Sequence, residues 1–560
     1  MVVYMETKVT SDSFTATSEL PAVVVPPCSL TEAMSSCTED PKPLSVQAAF
    51  RGKNVLITGA IGFVGSVAME QILRLCPDVP RIFLLIRSKA GHSGQERLET
   101  LLKSRSLFQE HTSSQEALRS VMDKLVVVEG DVQQNDCGLS AADLARLRAD
   151  VDIVIHSAAS ISFFEHIHVL LQQNYQATKE IANLAASMPR LQAFIYVSTC
   201  YVNAHRPQGS HVEEAIFPLV RATSGTTVQH AELAAKLAKM PPAKAEKAAQ
   251  DLLRDVGLPN SYTLTKHMAE GLVADMHAAG ALPVAIVRPS IIGCIAHKPL
   301  PGYFGNSAGL TSAILAFASG MARFTCHDPH HVVDAVPCDT VASVILLAAA
   351  ATSARVGLQL EKPLIVHAAT STTHPRACFE IFDQYVRPFW QEHPPRYCLS
   401  AKPYKSVWDK NAVLPEESLT FKWLRWRQGV RLHGVALGLT IAGQGKLAKR
   451  VLSGWKVWKL YNTGCMDFHL YFCCANVEAL ARLLPHEERL SFRPLWQASE
   501  DSWEDYMHLY MTAIRAKFYD PYDQVEGKQP AKQITCTEKA VAVALPVLIA
   551  ETTAKASAAC

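Results

Sequence analysis

One segment constrains the fold of this chain more than any other. An apolar stretch at 54–58 runs into three glycines spaced three residues apart, Gly59, Gly62 and Gly65. The residues that follow, 66–75, repeat apolar side chains at helical spacing. This order predicts a strand, a tight turn and a helix, the unit that places a dinucleotide pyrophosphate at a helix N-terminus. Glycine permits both the turn and the close approach of backbone to phosphate.

A second apolar strand is predicted at 81–86, and it ends in Arg87. Units that bind NAD usually carry an acidic residue here, which binds the ribose hydroxyl. A cation suits a 2′-phosphate instead, and Lys89 adds positive charge nearby. The sequence therefore predicts NADPH as the cofactor, against the alternative of a solvated arginine at a strand end.

Tyr262 and Lys266 are four residues apart, so on a helix they share one face. A neighbouring ammonium stabilises a phenolate and lowers the tyrosine pKa, which predicts Tyr262 as a proton donor. Upstream, the apolar stretch 194–197 ends in Ser198 and Thr199, where a third catalytic group is expected. A tyrosine and a lysine at this spacing also occur by chance on solvated helix faces.

A strand-end hydroxyl, Tyr262 and Lys266 behind a glycine turn resemble the extended short-chain dehydrogenase/reductase superfamily. The resemblance implies an α/β fold with a Rossmann-type doubly wound parallel sheet, an Asp near the adenine, an Asn that holds the lysine through water, and a segment that contacts the nicotinamide. The residues assigned to the cofactor on this basis are Thr58, Gly59, Gly62, Phe63, Val64, Gly65, Arg87, Asp131, Val132, Ala158, Asn174, Tyr262, Lys266, Pro289 and Ile291.

Longer segments resemble the fatty acyl-CoA reductases, in the same order along the chain. They are VLITGAIGFVGSVAMEQILRLCPDVPRIFLLIRSKAG, HSAASISF, VSTCYVN, VAIVRPSIIG, PGYFGNSAG, DAVPCDTVAS, YNTGCMDFHLYFCCANVEALARLL and SFRPLWQASEDSWEDYMHLYMTAIRAKFY. Two positions depart from that family. Ile61 stands where the family usually has threonine, and 303–306 is looser than its Trp-x-Asp-Asn pattern.

This resemblance implies NADPH-dependent reduction of a long-chain acyl-CoA to a fatty alcohol through an enzyme-bound aldehyde, with Thr199, Tyr262 and Lys266 as the catalytic residues. An enzyme that releases the aldehyde would carry the same motifs. The motifs also leave open a sterol or flavonoid dehydrogenase, a sugar epimerase, or a non-catalytic NADPH-binding scaffold.

A length of 560 residues predicts two folded units with tails. Between Thr199 and Tyr262, residues 231–256 have the pattern of two amphipathic helices interrupted at Pro241, either as part of an acyl-chain cover or as surface decoration. The predicted organisation is a disordered extension at 1–47, an NADPH-binding Rossmann domain at 48–375, a helical domain at 376–525 and a disordered tail at 526–560.

Composition excludes several classes of partner. A net charge of +2 gives no reason to expect nucleic acid. Fifteen scattered cysteines without a CxxC pair indicate reduced thiols in a cytosol-facing compartment. We expect no metal, because the one candidate cluster lacks the ligand spacing of zinc sites. That cluster consists of Cys326, His327, Asp328, His330 and His331.

The stretch between Glu417 and Asp467 contains no acidic residue and mixes cations with aromatic side chains. This composition predicts peripheral contact with an anionic membrane through 422–461, against the alternative of a basic helix pair packed on the Rossmann domain. The expected location is the cytosolic face of the endoplasmic reticulum or of a peroxisome-like organelle, with a plastid as the alternative. The cations and aromatics are Lys422, Arg425, Arg427, Arg431, Lys446, Lys449, Arg450, Lys456, Lys459, Trp423, Trp426, Trp455, Trp458 and Tyr461.

Overall fold

The computed structural model describes residues 43–104, 106–319, 330–356, 361–373, 376–395, 418–461, 468–497 and 501–520. The strands in these ranges are β1 Val55–Thr58, β2 Ile82–Ile86, β3 Leu125–Glu129, β4 Ile153–His156, β5 Ala193–Val197, β6 His211–Val212, β7 Val284–Pro289, β8 Ile291–Ile292, β9 Ala335–Val336, β10 Leu364–Ala368 and β11 Tyr471–Phe472.

The α-helices of the described residues range in length from four to 23 residues. They are α1 Val46–Phe50, α2 Phe63–Leu75, α3 Gly94–Ser104, α4 Gln115–Lys124, α5 Ala141–Asp150, α6 Ile167–Leu170, α7 Ala177–Ala186, α8 His230–Ala238, α9 Pro242–Val256, α10 Ser261–Ala278, α11 Leu310–Ala318, α12 Cys338–Ser353, α13 Arg387–Glu392, α14 Leu419–Ile441, α15 Gly445–Tyr461, α16 Ala475–Arg482, α17 His486–Phe492 and α18 Trp503–Phe518.

A seven-stranded parallel sheet in the order β10-β7-β5-β4-β1-β2-β3 forms the centre of the fold. Its strands β1, β2, β4, β5, β7 and β10 are buried along their whole length. Continuous burial is expected when helices cover both faces of a parallel sheet. The predicted doubly wound α/β fold is confirmed.

The strand order places a crevice at the carboxyl ends of β1 and β4. The chain runs outward from β1 to β2 and β3 and then returns to the other side of β1 as β4. Thr58 is aligned with His156 across this pair. Ligands of doubly wound sheets bind outside such a switch point.

The predicted amphipathic helices at 231–256 are present as α8 and α9, and Pro242 starts the second of them. Proline is tolerated there because the first helical residue needs no N–H partner. Leu237 and Leu253 pack with Met268 of α10 in one buried cluster. The two helices thus support the outer side of α10.

The C-terminal chain returns to the sheet. β11 pairs in parallel with β6, and Leu480 of α16 is buried in the core that fills one side of the sheet. Helix α18 belongs to a separate core, in which Met507 and Tyr510 pack with Leu310 of α11. The predicted helical C-terminal region is confirmed, while the domain boundaries at 375 and 525 stay predictions.

The N-terminal boundary predicted at 47 is too late, because residues 44–47 are folded. Ser45 caps α1 by accepting a hydrogen bond from the N–H of Ala48 at 3.0 Å. The N–H of Leu44 donates to the carbonyl of Leu483 at 3.1 Å, and Leu44 is buried. The remainder of the two predicted tails, 1–42 and 526–560, lies outside the described residues.

Glu488 joins the start of the chain to α17, since its carboxylate accepts from the N–H of Val46 at 2.7 Å and from the hydroxyl of Ser45. We expect Glu488→Ala to lower the free energy of unfolding by about 1.5–3 kcal/mol, because hydrogen bonds to a charged group are lost. The matched control is Glu487→Ala, an exposed residue of the same helix, with an effect within about 0.5 kcal/mol. Urea unfolding measures both, and equal losses would contradict this role of Glu488.

Candidate active site

The glycine turn between β1 and α2 exposes backbone where any other residue would place a side chain. Gly59 has φ +72°, and a Cβ atom there would lie 2.8 Å from the backbone nitrogen of Ala158. A Cβ atom on Gly65 would lie 2.3 Å from the carbonyl oxygen of Gly59. Gly62 is the N-cap of α2, a helix of 13 residues. This cradle at a helix N-terminus fits a dinucleotide pyrophosphate.

A small cavity of about 40 Å³ lies beside the turn and brings two arginines together with an acid. Nη1 of Arg87 is 3.6 Å from Oδ2 of Asp131, and Nη1 of Arg97 donates to the carbonyl oxygen of Arg87 at 2.6 Å. Nε of Arg87 is buried without a hydrogen-bond partner in the described structure. The predicted residues that line this cavity are Thr58, Gly59, Arg87, Asp131, Val132 and Ala158.

Arg97 was not predicted from the sequence. It lies in the first turns of α3, ten residues after Arg87, and its orientation depends on how that helix packs against β3. The sequence feature that could have identified Arg97 is that it is a second cation, in the helix that follows Arg87 at the end of β2. Two guanidinium groups flank the position expected for the adenosine ribose.

Thr199 and Tyr262 meet in a larger cavity of about 230 Å³ on the other side of the turn. Asn260 caps α10, so Tyr262 lies in its first turn. The side chain of Thr199 lines this cavity together with that of Tyr262 and acts to lower the pKa of the phenol. It also lies 3.3 Å from the carbonyl oxygen of Pro289. The predicted residues that line this cavity are Gly59, Gly62, Phe63, Val64, Gly65, Ala158, Thr199, Tyr262 and Ile291.

The expected lowering of the Tyr262 pKa by Lys266 is wrong for the protein alone. Burial raises the pKa of Tyr262 above its ordinary value, and the opposite effect of the Thr199 hydroxyl reverses only part of that shift. Lys266 points elsewhere, because its Nζ donates to the carbonyl oxygen of Val197 at 2.6 Å and lies 4.2 Å from the ring centroid of Tyr196. The lysine thus sits behind the cavity wall, at the end of β5.

Lys266 is itself strongly perturbed. Burial lowers its pKa to about 7, and the carboxylate of Glu270 acts in the opposite direction. An ammonium group in such surroundings is close to losing its proton at neutral pH. The charge of Lys266 therefore depends on its neighbours.

Asn174 does not line either cavity. It lies in the π-helical turn Leu171–Gln176, where its Oδ1 accepts from the N–H of Ser160 at 2.7 Å and its Nδ2 donates to Thr265 Oγ1 at 3.2 Å. The amide therefore ties the loop after β4 to α10. A contact with Lys266 through water stays a prediction, and Pro289 likewise lies behind the wall.

A buried histidine fixes the strand end that carries Thr58. Nδ1 of His156 is 2.7 Å from Thr58 Oγ1, and its Nε2 is 3.1 Å from Thr178 Oγ1. Burial, with a contribution from Lys266, lowers the pKa of His156 to about 3, so the imidazole is neutral. Thr178 donates to the carbonyl of Asn174 at 2.6 Å, so we infer that Nε2 carries the proton and Thr58 donates to Nδ1.

Most of the apolar wall of the larger cavity was also not predicted from the sequence. The ring of Phe163 packs edge-on against Tyr262 with centroids 5.6 Å apart. Phe468, from the C-terminal chain, packs against Tyr201 with centroids 5.4 Å apart. Further apolar residues of this wall are Ile161 and Ile292.

The two departures from the family pattern both lie at the site. Ile61 lines the smaller cavity, and Asn306 lines the larger one. Tyr303 packs against Phe63 with ring centroids 6.0 Å apart. The segment 303–306 thus contributes to the cavity wall although its first residue is not tryptophan.

Among the described residues no group of three or more His, Cys, Asp and Glu side chains could hold a metal ion. Cys326, His327 and Asp328 of the candidate zinc cluster lie outside the described residues.

A doubly wound parallel sheet, a glycine turn at its switch point, a threonine and a tyrosine in the cavity beside that turn, and a lysine one helical turn after the tyrosine define an extended short-chain dehydrogenase/reductase. The chain therefore has the fold of these oxidoreductases and a site for a nicotinamide dinucleotide.

Comparisons with known proteins identify the family within this class. The sequence profile of the family described as "Male sterility protein" matches residues 57–345. Fatty acyl-CoA reductase 1 of Rattus norvegicus is 30% identical over 502 residues, which cover 88% of this chain and 89% of that protein. Fatty acyl-CoA reductase 2 of Homo sapiens is 34% identical over 302 residues, so the match covers 54% of this chain and about half, 55%, of the human protein. The chain belongs to the fatty acyl-CoA reductase family.

A solved structure agrees on the fold. The terminal R domain from the myxalamid PKS-NRPS biosynthetic pathway superposes with a TM-score of 0.51 at 18% sequence identity. The superposition covers 83% of this chain and 91% of that domain, so the similarity extends beyond the central sheet.

Proposed function

We propose that the protein reduces long-chain fatty acyl-CoA with NADPH to a fatty alcohol, through an enzyme-bound aldehyde and with release of CoA. The observation that carries this proposal is that Thr199 and Tyr262 line one largely apolar cavity beside the glycine turn. Membership of the fatty acyl-CoA reductase family supports the substrate class.

A bound NADPH would supply hydride to the carbonyl carbon of the thioester. Gly59 and Gly65 would cradle its pyrophosphate, and Arg87 would hold its 2′-phosphate. The hydroxyls of Tyr262 and Thr199 would donate hydrogen bonds to the carbonyl oxygen as negative charge develops there. Tyr262 would then transfer its proton to that oxygen.

The product of this first reduction is a hemithioacetal of CoA. Its carbon–sulfur bond would break, the hydroxyl would lose its proton as the aldehyde carbonyl forms, and the leaving thiolate would take up a proton as free CoA. A second NADPH would supply the hydride, and Tyr262 the second proton, that convert the aldehyde into the alcohol. The whole reaction consumes two NADPH and two protons.

The apolar wall suits a fatty acyl chain and favours retention of the aldehyde. Phe163, Ile292 and Phe468 line the same cavity as Tyr262. Burial of an alkyl chain against such side chains is favourable by about 0.8 kcal/mol per CH₂ group. An aldehyde held there stays next to the proton donor for the second reduction. Release of the aldehyde is the alternative outcome.

The test is product analysis with purified protein, NADPH and acyl-CoAs of graded length. We expect fatty alcohol and two NADPH oxidised per CoA released. Free aldehyde with one NADPH per CoA would show that the aldehyde is the released product. Absence of CoA release from every acyl-CoA would overturn the proposed function.

Tyr262→Phe should reduce the turnover rate by about 10²–10⁴-fold, because it removes the proton donor and no other group. The affinity for NADPH should change little. Tyr385→Phe is the matched control, since Tyr385 lies outside both cavities in the structure described. A Tyr262→Phe variant that keeps more than about a tenth of the rate would contradict the role of the tyrosine.

The preference for NADPH over NADH should rest on the pocket that holds Arg87 and Arg97. Arg87→Asp removes the partner of the 2′-phosphate and places a second carboxylate near Asp131. We expect NADPH to bind at least about tenfold more weakly while NADH binds as well or better. Arg81→Asp is the control, because Arg81 precedes the opposite end of the same strand, β2. Fluorescence titration measures both dinucleotides, and an unchanged ratio for Arg87→Asp would show that the phosphate is held elsewhere.

We further propose that the enzyme attaches to the surface of an anionic membrane through α14. Six of its apolar side chains are exposed, among them Trp426 at 65% and Ile441 at 80%. At about 100° per residue these positions fall within roughly 60° of arc, so they form one stripe along the helix. The stripe consists of Leu419, Trp423, Trp426, Val430, Leu437 and Ile441.

Cations flank this stripe on both sides. Lys422 and Arg427 are exposed, and the guanidinium of Arg427 lies 4.7 Å from the ring centroid of Trp423. A helix with an apolar stripe and basic flanks suits the interface of an anionic bilayer. None of the described helices combines the length and the apolar character needed to cross a bilayer.

Helix α15 offers less to the proposed membrane contact than its composition predicted. Trp455 is buried, and a Cβ atom on Gly429 would lie 3.1 Å from its ring, so this tryptophan packs between the two helices and does not face outward. This corrects the prediction that Trp455 is an interfacial residue. The side chain of Trp458 lies outside the described residues.

We propose the cytosolic face of the endoplasmic reticulum or a peroxisome-like organelle as the location, with a plastid as the alternative.

Replacement of Trp423, Trp426 and Leu437 by Gln should release the protein from anionic liposomes in a flotation assay, because it removes the apolar part of the contact. Replacement of Lys446, Lys449, Arg450, Lys456 and Lys459 by Gln should weaken attachment mainly at low salt, since each surface cation contributes about 1 kcal/mol. Val220→Gln with Leu490→Gln is the control, because both side chains are about half exposed and lie away from α14. Equal flotation of the wild type and the Trp variant would exclude α14 as the membrane contact.

A further inference from the structure

The catalytic helix carries a third polar side chain in line with Tyr262 and Lys266. Glu270 follows Lys266 by four residues, as Lys266 follows Tyr262, so the three lie on one face at successive turns of α10. Unlike the tyrosine, Glu270 does not line either cavity, and its side chain is 1% exposed. A carboxylate at this depth needs a specific partner.

Arg288 is that partner. Its Nε donates to Oε1 of Glu270 at 2.9 Å, and its Nη2 donates to Oε2 at 2.7 Å, which is a bidentate ion pair. Arg288 also donates to the carbonyl oxygen of Ala215 at 2.8 Å. Burial alone would raise the pKa of Glu270, but the interactions with Arg288 more than reverse this, so its pKa lies below the ordinary value. Glu270 is therefore ionised.

The surroundings of Lys266 otherwise disfavour its positive charge. The ammonium is buried, and Glu270 is the carboxylate that acts on it among the described residues. The ionisable or polar groups that face Lys266, Glu270 or Arg288 from the elements around them are Tyr196, Val197 O and Ser198 of β5 and its end, His156 of β4, Tyr262 and His267 of α10, His367 of β10, and Glu214 and Ala215 O.

We propose that Glu270, held by Arg288, is a positioning residue for catalysis: it supplies the buried negative charge that keeps Lys266 protonated in the working enzyme. This inference rests on the proposed function, in which a charged Lys266 would hold the nicotinamide ribose and support proton donation by Tyr262, the two roles that the family resemblance implies. An ion pair that serves packing alone would need no alignment with the lysine. Here the carboxylate occupies the next turn of the same helix face, and Arg288 orients it from β7.

The direction of the pH effect follows from this arrangement. If the charged lysine supports catalysis, activity falls as the pH rises through the pKa of Lys266. Glu270→Gln removes the negative charge and keeps the shape, so Lys266 should lose its proton at lower pH. We expect the basic limb of the profile of kcat/KM against pH to move down by about one to three pH units. Well below that limb, the variant should approach the wild-type rate.

Glu270→Asp is the matched variant, because it keeps the charge and shortens the side chain. Its basic limb should stay near that of the wild type. A uniform loss of rate in Glu270→Gln at every pH, or equal profiles for the Gln and Asp variants, would overturn the proposal and leave a structural ion pair. If Glu270→Gln does not fold, the variant that combines it with Arg288→Met takes its place, since removal of both buried charges together is often tolerated. The same downward shift is expected.

A second readout separates this inference from the proposed function. The dissociation constant of NADPH, measured by its fluorescence against pH, does not depend on any acyl substrate. In Glu270→Gln the affinity should weaken at lower pH than in the wild type, because the charged lysine would hold the nicotinamide ribose. Wild-type protein that binds NADPH but releases no CoA from any acyl-CoA would contradict the proposed function alone. Identical binding profiles in the two proteins would contradict the role of Glu270.

Discussion

The close approach of two strand ends is the constraint on which the rest of the site depends. Gly59 passes so near Ala158 that a Cβ atom would lie 2.8 Å from its nitrogen. The preceding residue, Thr58, accepts from the N–H of Ala158 at 3.3 Å and contacts the buried, neutral His156. Because backbone forms this wall, a dinucleotide can lie against both strands. The neighbouring strand β5 then places Thr199 beside the same crevice, in the cavity that Tyr262 also lines.

Burial shifts the pKa values of Tyr262 and Lys266, the two ionisable residues predicted to be catalytic, in opposite directions, and both shifts favour the neutral forms. The raised pKa of Tyr262 keeps the phenol protonated, which suits a proton donor but makes the phenolate harder to form. A nearby cation would offset that cost, yet burial lowers the pKa of Lys266 to about 7. A group that stabilises the lysine ammonium would counter this effect of burial. Glu270 is placed to do this, and Arg288 keeps the carboxylate ionised.

Local sequence features predicted the parts of the site that local structure determines. The glycine turn and the Tyr262–Lys266 spacing depend on one turn and one helix, and both are found as expected. Long-range packing decided the rest. Arg97 enters its pocket through the packing of α3, and Phe468 through the pairing of β11 with β6, two strands of two residues each. No sequence pattern indicates that Lys266 reaches the carbonyl of Val197 or that Trp455 lies between two helices. The fold class was predictable because parallel strands are continuously apolar, whereas side-chain direction was not.

The C-terminal chain is physically connected to the reductase site. Phe468 forms part of the cavity wall, and the N–H of Asn476 donates to the buried carboxylate of Glu214 at 2.6 Å. Glu214 also accepts from the N–H of His367 at 2.8 Å, and the ring of His367 lies 3.4 Å from Arg288. A continuous set of hydrogen bonds thus leads from the C-terminal segment to the ion pair beside Lys266. Because these contacts cross the boundary predicted at 375, the sheet and the chain after 468 form one structure around the site.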